Sequence, residues 1–324
     1  MNKHHTSAFA HLEMVDAPIS NGQAAFLEEM GNDLPHLRRS DFYMLTARPA
    51  ARFENIVYDV ENSTLHFDIC VGANLRDSGA LRYALEPNYD AFEGSLALSA
   101  NADLISATDN ATGEAFMAYT PDSMLWWKSR SRPGISGLTR ARELFSFDLL
   151  YVGIAKEGDS YSRLIERGHK QRAQILAKEL QRVAGARVAD ETYLFFFEVN
   201  PTIVRMLDPA IEINDGDLDQ TAPLKRYVAD AEKAFVTLLK PGYNKTLYQN
   251  YPRGSDGLYG EGLVRYGYAV AEEMILNTPN GQICGARAPF CDLPWSNRAD
   301  TILIEGDVVQ LLKAGVDFPD AEPI

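Results

Sequence analysis

Four residues of this chain have the types and settings to act on an anionic substrate: Glu232, Arg163, His169 and Tyr151. Glu232 begins the stretch EKAFVTLLKPGYN, a helical pattern that Pro241-Gly242 brings to a stop. At about 100° per residue, Leu224, Tyr227, Val228, Ala231, Phe235, Leu238 and Leu239 form one apolar stripe, while Arg226, Asp230, Lys233 and Thr237 point away from it. Glu232 falls at the edge of that stripe, between Leu239 and Val236. A partly buried carboxylate has to be paired, hydrogen-bonded, metal-bound or neutralised, because leaving it ionised and alone costs several kcal/mol. A buried salt bridge satisfies this requirement as well as a metal does, and both readings stand at this point.

The other three residues sit on a predicted strand and helix. The run SFDLLYVGIA predicts a strand carrying Tyr151-Val152-Gly153 near its end. The spacing from Ser160 to Ala184 predicts an amphipathic helix capped by Ser160. Its polar face carries Arg163, Arg167, Lys170, Gln174 and Lys178, and Leu164, Ile165, Ile175, Leu176, Leu180 and Val183 supply its packing side. A tyrosine, an arginine and a histidine can thus converge with Glu232. Each has a plainer role as well, since arginine stripes are commonly solvated and single helical histidines commonly structural.

Residues 1 to 50 predict a loose start with one short helix near Asn21 to Met30, closed by the turn signal Gly31-Asn32-Asp33. Alternation in FENIVYDV and STLHFDICV predicts a β-hairpin, and GSLALSA, ADLISAT and EAFMAYT predict three more strands. Together they define an expected β-rich amino-terminal domain, residues 1–114, of unassigned role. The segment KSRSRPGISGLTRAR, residues 128–142, predicts a basic loop able to order on a phosphate backbone. Further on, TYLFFFEVN predicts a strand and IEINDGDLDQTAP a solvated acidic loop. GLVRYGYAVAEEMIL is ambiguous between strand and helix, TILIEGDVVQLLKAG predicts a strand and then a short helix, and FPDAEPI an unstructured tail.

With 324 residues the chain has room for two domains. Its net charge of −14 argues against a nucleic-acid surface over the whole molecule, but the charge is unevenly divided. Residues 1–120 hold 17 acidic and 7 basic residues, a balance of −10, whereas residues 125–189 hold 6 acidic and 13 basic, a balance of +7. The second segment is suited to an anion. No apolar run reaches the roughly 18 residues of a membrane span, and MNKHHTSAFAHLE lacks a signal-peptide pattern, so a soluble, cytoplasmic chain is expected. Cys70, Cys284 and Cys291 have neither zinc spacing nor an even count, and read as free thiols.

The order of these motifs resembles the GIY-YIG nuclease family, most closely the arrangement in its excision-repair members. Tyr151-Val152-Gly153-Ile154-Ala155 matches the YIG strand, Arg163 the arginine of the following helix, and Glu232 the metal-binding glutamate. Glu232 followed by Pro241, Tyr243 and Asn244 matches the way the family closes its core. The motif Gly-Ile-Tyr itself is absent; Tyr119 is the candidate for its tyrosine, with Gly134-Ile135-Ser136 a weaker alternative. The resemblance implies an α+β fold, a GIY-YIG-like small sheet flanked by helices, in residues 115–324 with a core of about 115–250. It implies one Mg²⁺ or Mn²⁺ on Glu232, Arg163 as phosphate clamp, and Tyr151 or Tyr119 as general base. His169 is implied in proton transfer or phosphate contact, Lys156, Arg167 and Lys170 in substrate binding, and Asn244 in orienting a ligand or fixing the chain after the helix.

The expected activity is therefore metal-dependent endonuclease cleavage of DNA, in restriction, repair, phage defence or a mobile element. Two alternatives stay open: a nuclease-like module that binds nucleic acid or regulates without cutting, and an acidic interaction or DNA-mimic protein. In the last of these the amino-terminal domain would meet a protein partner.

Overall fold

The alternating and continuous apolar runs fold largely as strands. In the computed structural model, which describes residues 4–30, 34–207, 222–287 and 297–317, β1 (His4–Met14) and β2 (Ile19–Ser20) precede helix α1 (Asn21–Met30), a 3-10 turn (Pro35–Arg39) and β3 (Phe42–Ala47). Next come β4 (Ala51–Asp59), β5 (Thr64–Val71), β6 (Leu75–Arg82), β7 (Leu96–Ala100), β8 (Ile105–Asp109) and β9 (Ala115–Tyr119). Helix α2 (Pro121–Ser129), β10 (Ile135–Gly137) and helix α3 (Ala141–Leu144) lead into β11 (Ser146–Ile154). A π-helical turn (Ser162–Glu166), α4 (Lys170–Lys178) and α5 (Val188–Glu191) connect to β12 (Thr192–Leu207) and α6 (Leu224–Leu239). Strands β13 (Arg265–Val270), β14 (Ile275–Thr278), β15 (Gly281–Cys284), β16 (Thr301–Glu305) and β17 (Val308–Leu312) complete the order.

The class is α+β, built on one large sheet ordered β15-β14-β11-β3-β12-β1-β13-β16-β17, with β2 paired to β12. Strand pairing runs across the expected boundary at residue 114. β1 and β3 belong to the large sheet, while β4, β5, β6 and β10 form a four-stranded sheet and β7, β8 and β9 a three-stranded one. Residues 48–145 are thus an insertion between two neighbouring antiparallel strands, β3 and β11. Arg48 pins its root: the guanidinium is buried, donates to Asp122 and to the Leu144 carbonyl, and lies 4.3 Å from the Phe147 ring centroid.

Strand β12 is a continuous hydrophobic run because both faces of the sheet are covered. Phe195 and Phe197 pack on one side with Phe42, Met44 and Phe235 of α6; Leu194 and Phe196 pack on the other with Tyr43, Leu45, Leu164, Ile165 and Ile175. Alternation along β3 therefore sends Tyr43 to the face covered by the π turn and α4.

Three expectations are corrected. The single helix from Ser160 to Ala184 is broken: Asp159, not Ser160, accepts from the Ser162 backbone, the chain turns at Gly168 with φ +70, and α4 ends at Lys178, leaving Leu180 80% exposed. A left-handed glycine interrupts a helix at little steric cost, which lets the arginine turn and α4 take different directions. TILIEGDVVQLLKAG forms the β16–β17 hairpin, with Gly306 at φ +57 in a two-residue turn, in place of a strand and a helix. Asp230, expected to point away from the core, is buried because Tyr251, Tyr268 and the Leu258 backbone donate to its carboxylate.

The ambiguous carboxy-terminal stretch forms β13 and β14, and the hairpin expected from FENIVYDV and STLHFDICV is β4–β5. Cys70 and Cys284 are free thiols. Cys291, the turn signal at 31–33, the tail from 318 and nearly all of the acidic loop lie outside the described residues. Among the described residues no helix is long and apolar enough to cross a membrane.

Candidate active site

The site is built at the end of the β3–β11 pair farthest from the insertion. Tyr43 lies directly opposite Gly153, and its ring stacks on that of Tyr151 at 6.2 Å between centroids. A β-bulge between Leu149 and Tyr151 adds one residue to β11. Gly153 is required sterically: a Cβ there would stand 2.6 Å from the Tyr43 hydroxyl and 2.7 Å from the Tyr151 ring. The glycine between the two tyrosines thus makes room for their phenols over the strand.

The π turn brings Arg163 to these phenols. Asp159 accepts from Ser162 at its start, Arg167 N–H bonds the Ser162 carbonyl, and Arg38 holds the turn through Ser162 and Glu166. Arg163 Nε then donates to the Tyr43 hydroxyl at 2.9 Å. No other hydrogen bond to the Arg163 guanidinium is made among the described residues, so its terminal nitrogens are uncommitted.

His169 approaches the same hydroxyl from the start of α4. Its Nδ1 accepts from the Arg172 backbone at 3.2 Å as the helix N-cap, and its Nε2 lies 2.9 Å from the Tyr43 oxygen. An accepting Nδ1 carries no proton, so the neutral ring must carry it on Nε2. Burial, then Arg163 and Arg172, lower the His169 pKa to about 4, which keeps the ring neutral near pH 7. The Tyr43 oxygen therefore accepts two N–H bonds, one from a charged group. Burial first, and then Tyr151, push its pKa up; Arg163 opposes them. Tyr151 is raised by burial and by Glu232, against the pull of Arg163.

Glu232 is half-buried on α6 and lines a cavity of about 270 Å³ together with Asp41, Lys156, Lys225, Lys233, Tyr248 and Asp256. Tyr248 donates to its Oε2 at 3.2 Å, and Oε1 accepts no hydrogen bond among the described residues. Burial raises the carboxyl pKa, with Tyr248, Lys156, Lys233 and Arg163 pulling it back. A second cavity of about 300 Å³ is lined by Lys156, Arg163, Arg167, His169, Lys170 and Gln171. Lys156 belongs to both, so the carboxylate cavity and the basic cavity are neighbours.

The segment after α6 closes the arrangement. Lys240 adopts a left-handed conformation at the helix end, Tyr243 N–H bonds the Leu150 carbonyl, and the Asn244 side chain both accepts from and donates to the Val152 backbone. Asn244 is thereby engaged in holding β11, the chain-fixing one of the two roles expected for it.

Of the expected site residues, Tyr151, Arg163, His169 and Glu232 share this region, with Lys156, Arg167 and Lys170 around its cavities. Tyr119 does not. It lies in β9 of the three-stranded sheet, where its hydroxyl donates to Glu86 at 2.8 Å. Gly134-Ile135-Ser136 is also excluded as a motif strand beside β11, since β10 pairs with β6. The tyrosine that stacks on Tyr151 is Tyr43. The basic loop 128–142 is likewise committed internally: Arg130 pairs with Glu272, Arg132 with Glu86, Arg140 with Glu143 and Arg142 with Glu273.

Among the described residues no group of three or more His, Cys, Asp or Glu side chains could hold a metal. The donor set suits an ion bound by one carboxylate and water. Mg²⁺ binds in this way; Glu232 has one oxygen without a hydrogen bond among the described residues and lines a cavity with room for several waters, which Lys156, Lys225 and Lys233 also line. No family model, no curated protein and no solved structure matches the chain.

Proposed function

We propose that the chain is a divalent-metal-dependent endonuclease of the GIY-YIG type, hydrolysing phosphodiester bonds in DNA. One observation carries the reading: the Tyr43 hydroxyl accepts from both Arg163 and His169 while its ring faces Tyr151 across Gly153. The two N–H donors and its burial make Tyr43 the anchor that holds Arg163 and His169 together. Tyr151, partly exposed and stacked on Tyr43, takes the role of general base, with Arg163 pulling its phenol toward ionisation.

Arg163 has one nitrogen on Tyr43 and two left to clamp a phosphate in bidentate fashion. Lys156, Arg167 and Lys170 form no ion pair among the described residues and surround the adjoining cavity, where flanking phosphates of the same strand fit. Glu232 is the residue that would hold Mg²⁺ or Mn²⁺, with waters completing the shell. When bound, the ion supplies positive charge for the developing phosphate oxyanion and the leaving oxygen. His169 stays a hydrogen-bond donor throughout, since its other nitrogen is occupied at the helix cap.

The test is nicking of supercoiled plasmid with Mg²⁺, Mn²⁺ or chelator. Wild type is expected to cut only with metal, and Tyr151→Phe and Glu232→Ala to lose at least about 100-fold in turnover, the usual order for acid–base and metal groups. Cutting in chelator, or full activity in either variant, overturns the mechanism. Salt-sensitive binding to DNA without any cutting would instead favour a nuclease-like binding module.

A further inference from the structure

The segment that follows the helix break is fastened back along α6 at three successive polar positions. Tyr251 and the Leu258 backbone donate to Asp230, at 2.6 and 2.8 Å; Tyr248 donates to Glu232; and Lys233 pairs with Asp256. Residues 248–258 thus form a strap over the face of the helix that carries Glu232. Asp230 is the buried buckle, since Tyr268 of the large sheet donates to the same carboxylate oxygen as Tyr251, at 2.9 Å. Gly257 lets the strap lie that close: a Cβ there would run into the Asp230 carboxylate.

The strap brings two residues to the carboxylate cavity, Tyr248 and Asp256; Asp256 is taken up by Lys233, and Tyr248 bonds Glu232. Tyr248 has a left-handed backbone with φ 44, a conformation uncommon for an aromatic residue, and its carbonyl accepts from the Tyr251 backbone at 2.9 Å. The surrounding structure holds it there. Its one hydrogen bond among the described side chains is to Glu232 Oε2, and the other oxygen of that carboxylate has no such partner. The electrostatic partners of the phenol include Tyr151 as well as Glu232, so it is near both.

We infer that Tyr248 is the positioning residue of Glu232: its hydroxyl fixes the carboxylate rotamer so that Oε1 is presented to a divalent cation. The inference rests on the endonuclease reading and adds to it a determinant of metal affinity outside the residues that touch substrate. A glutamate carboxylate, oriented by three rotatable bonds, has several orientations, and a donor on one oxygen selects among them before the ion arrives. Outer partners of this kind are worth about 10- to 100-fold in metal affinity.

The experiment is Mn²⁺ binding to the full chain by electron paramagnetic resonance, with no nucleic acid present, for wild type, Tyr248→Phe and Glu232→Gln. Tyr248→Phe keeps the ring in the strap and removes one hydroxyl; circular dichroism melting checks that the fold is retained. The expected result is a Kd for Mn²⁺ weakened about 10- to 100-fold in Tyr248→Phe, and no specific binding in Glu232→Gln. With DNA present, cleavage by Tyr248→Phe is expected to recover to within a few-fold of wild type at saturating Mn²⁺, since the hydroxyl acts through Glu232. A Tyr248→Phe affinity within twofold of wild type, alongside loss of binding in Glu232→Gln, overturns the positioning role and leaves the endonuclease reading standing. Equal binding by wild type and Glu232→Gln overturns both.

Discussion

Replacing His169 with asparagine separates its two bonds and gives a measurable pH signature. Asparagine is among the best N-cap residues, so its side-chain oxygen can take over the bond from the Arg172 backbone. It loses the N–H to Tyr43, at a cost near pH 7 of about 1 kcal/mol for the hydrogen bond. The larger effect lies in acid. The folded pKa of His169 is lowered to about 4, from an ordinary 6.5, by burial and by Arg163 and Arg172. Above the ordinary value both folded and unfolded chains hold a neutral ring. Between it and the folded value the unfolded chain takes a proton that the folded chain refuses, so stability falls with pH. The difference of about 2.5 units corresponds to about 3 kcal/mol lost from pH 7 to pH 4 in wild type. His169→Asn lacks that limb. Urea unfolding across this range should show the two proteins converging, or crossing, as pH drops. The lowered His11 and all carboxylates are common to both and cancel in the difference. Parallel stability profiles would refute the buried, neutral, Nε2-protonated histidine, and with it the assignment of Tyr43 as a double acceptor.

Two further tests address the same site. Gly153→Ala places a methyl group against the Tyr43 hydroxyl and the Tyr151 ring, so it should cost about 1–3 kcal/mol in urea unfolding and most of the cleavage activity; wild-type stability and turnover would show that the phenols do not lie over the strand. Glu232→Gln should raise the melting temperature at pH 7 in chelator, because a carboxyl whose folded pKa is raised costs stability once ionised. That gain should vanish as pH falls below the ordinary carboxylate range, where the acid is protonated in both states; a gain that persists there would mean the glutamate's burial is not the cause.

What was legible in the sequence was local. Glu232, the Pro-Gly stop and Asn244 lie within thirteen residues, and their relation follows from one helix and one turn. Tyr151 and Arg163 were readable because a strand leads into the next turn. Tyr43 was not. Asp41-Phe42-Tyr43 has no glycine ahead of its tyrosine, and its partner strand lies beyond residues 48–145, so only the pairing of Tyr43 with Gly153 reveals it. The signal for it is the β-prone FYMLTA before the insertion, inside the segment predicted as a loose start. Asp230 failed for a similar reason, since helical periodicity counts faces but cannot anticipate Tyr251 and Tyr268 arriving from elsewhere. Gly168 and Gly306 were visible, yet apolar periodicity outweighed them, and in both places the left-handed backbone decided the local structure.

The position of the insertion bears on which surface meets substrate. It leaves β3 after Ala47 and rejoins β11 at Ser146, whereas Tyr43 and Gly153 pair at the other end of the same strands. At about 3.3 Å per residue, four residues of strand put its root about 13 Å from the phenols. Lengthening that connection leaves the tyrosine pair intact, because the register is fixed by strand pairing and by Phe42 and Met44 packed toward α6. The charge follows the same division. The arginines at 130, 132, 140 and 142, within the insertion, are spent on Glu272, Glu86, Glu143 and Glu273, while Lys156, Arg167 and Lys170 around the basic cavity form no ion pair among the described residues. An excess of basic residues in sequence therefore points to an anion site only after the internally paired arginines are removed, and of the rest Lys156, Arg167 and Lys170 line the cavity shared by Arg163 and His169.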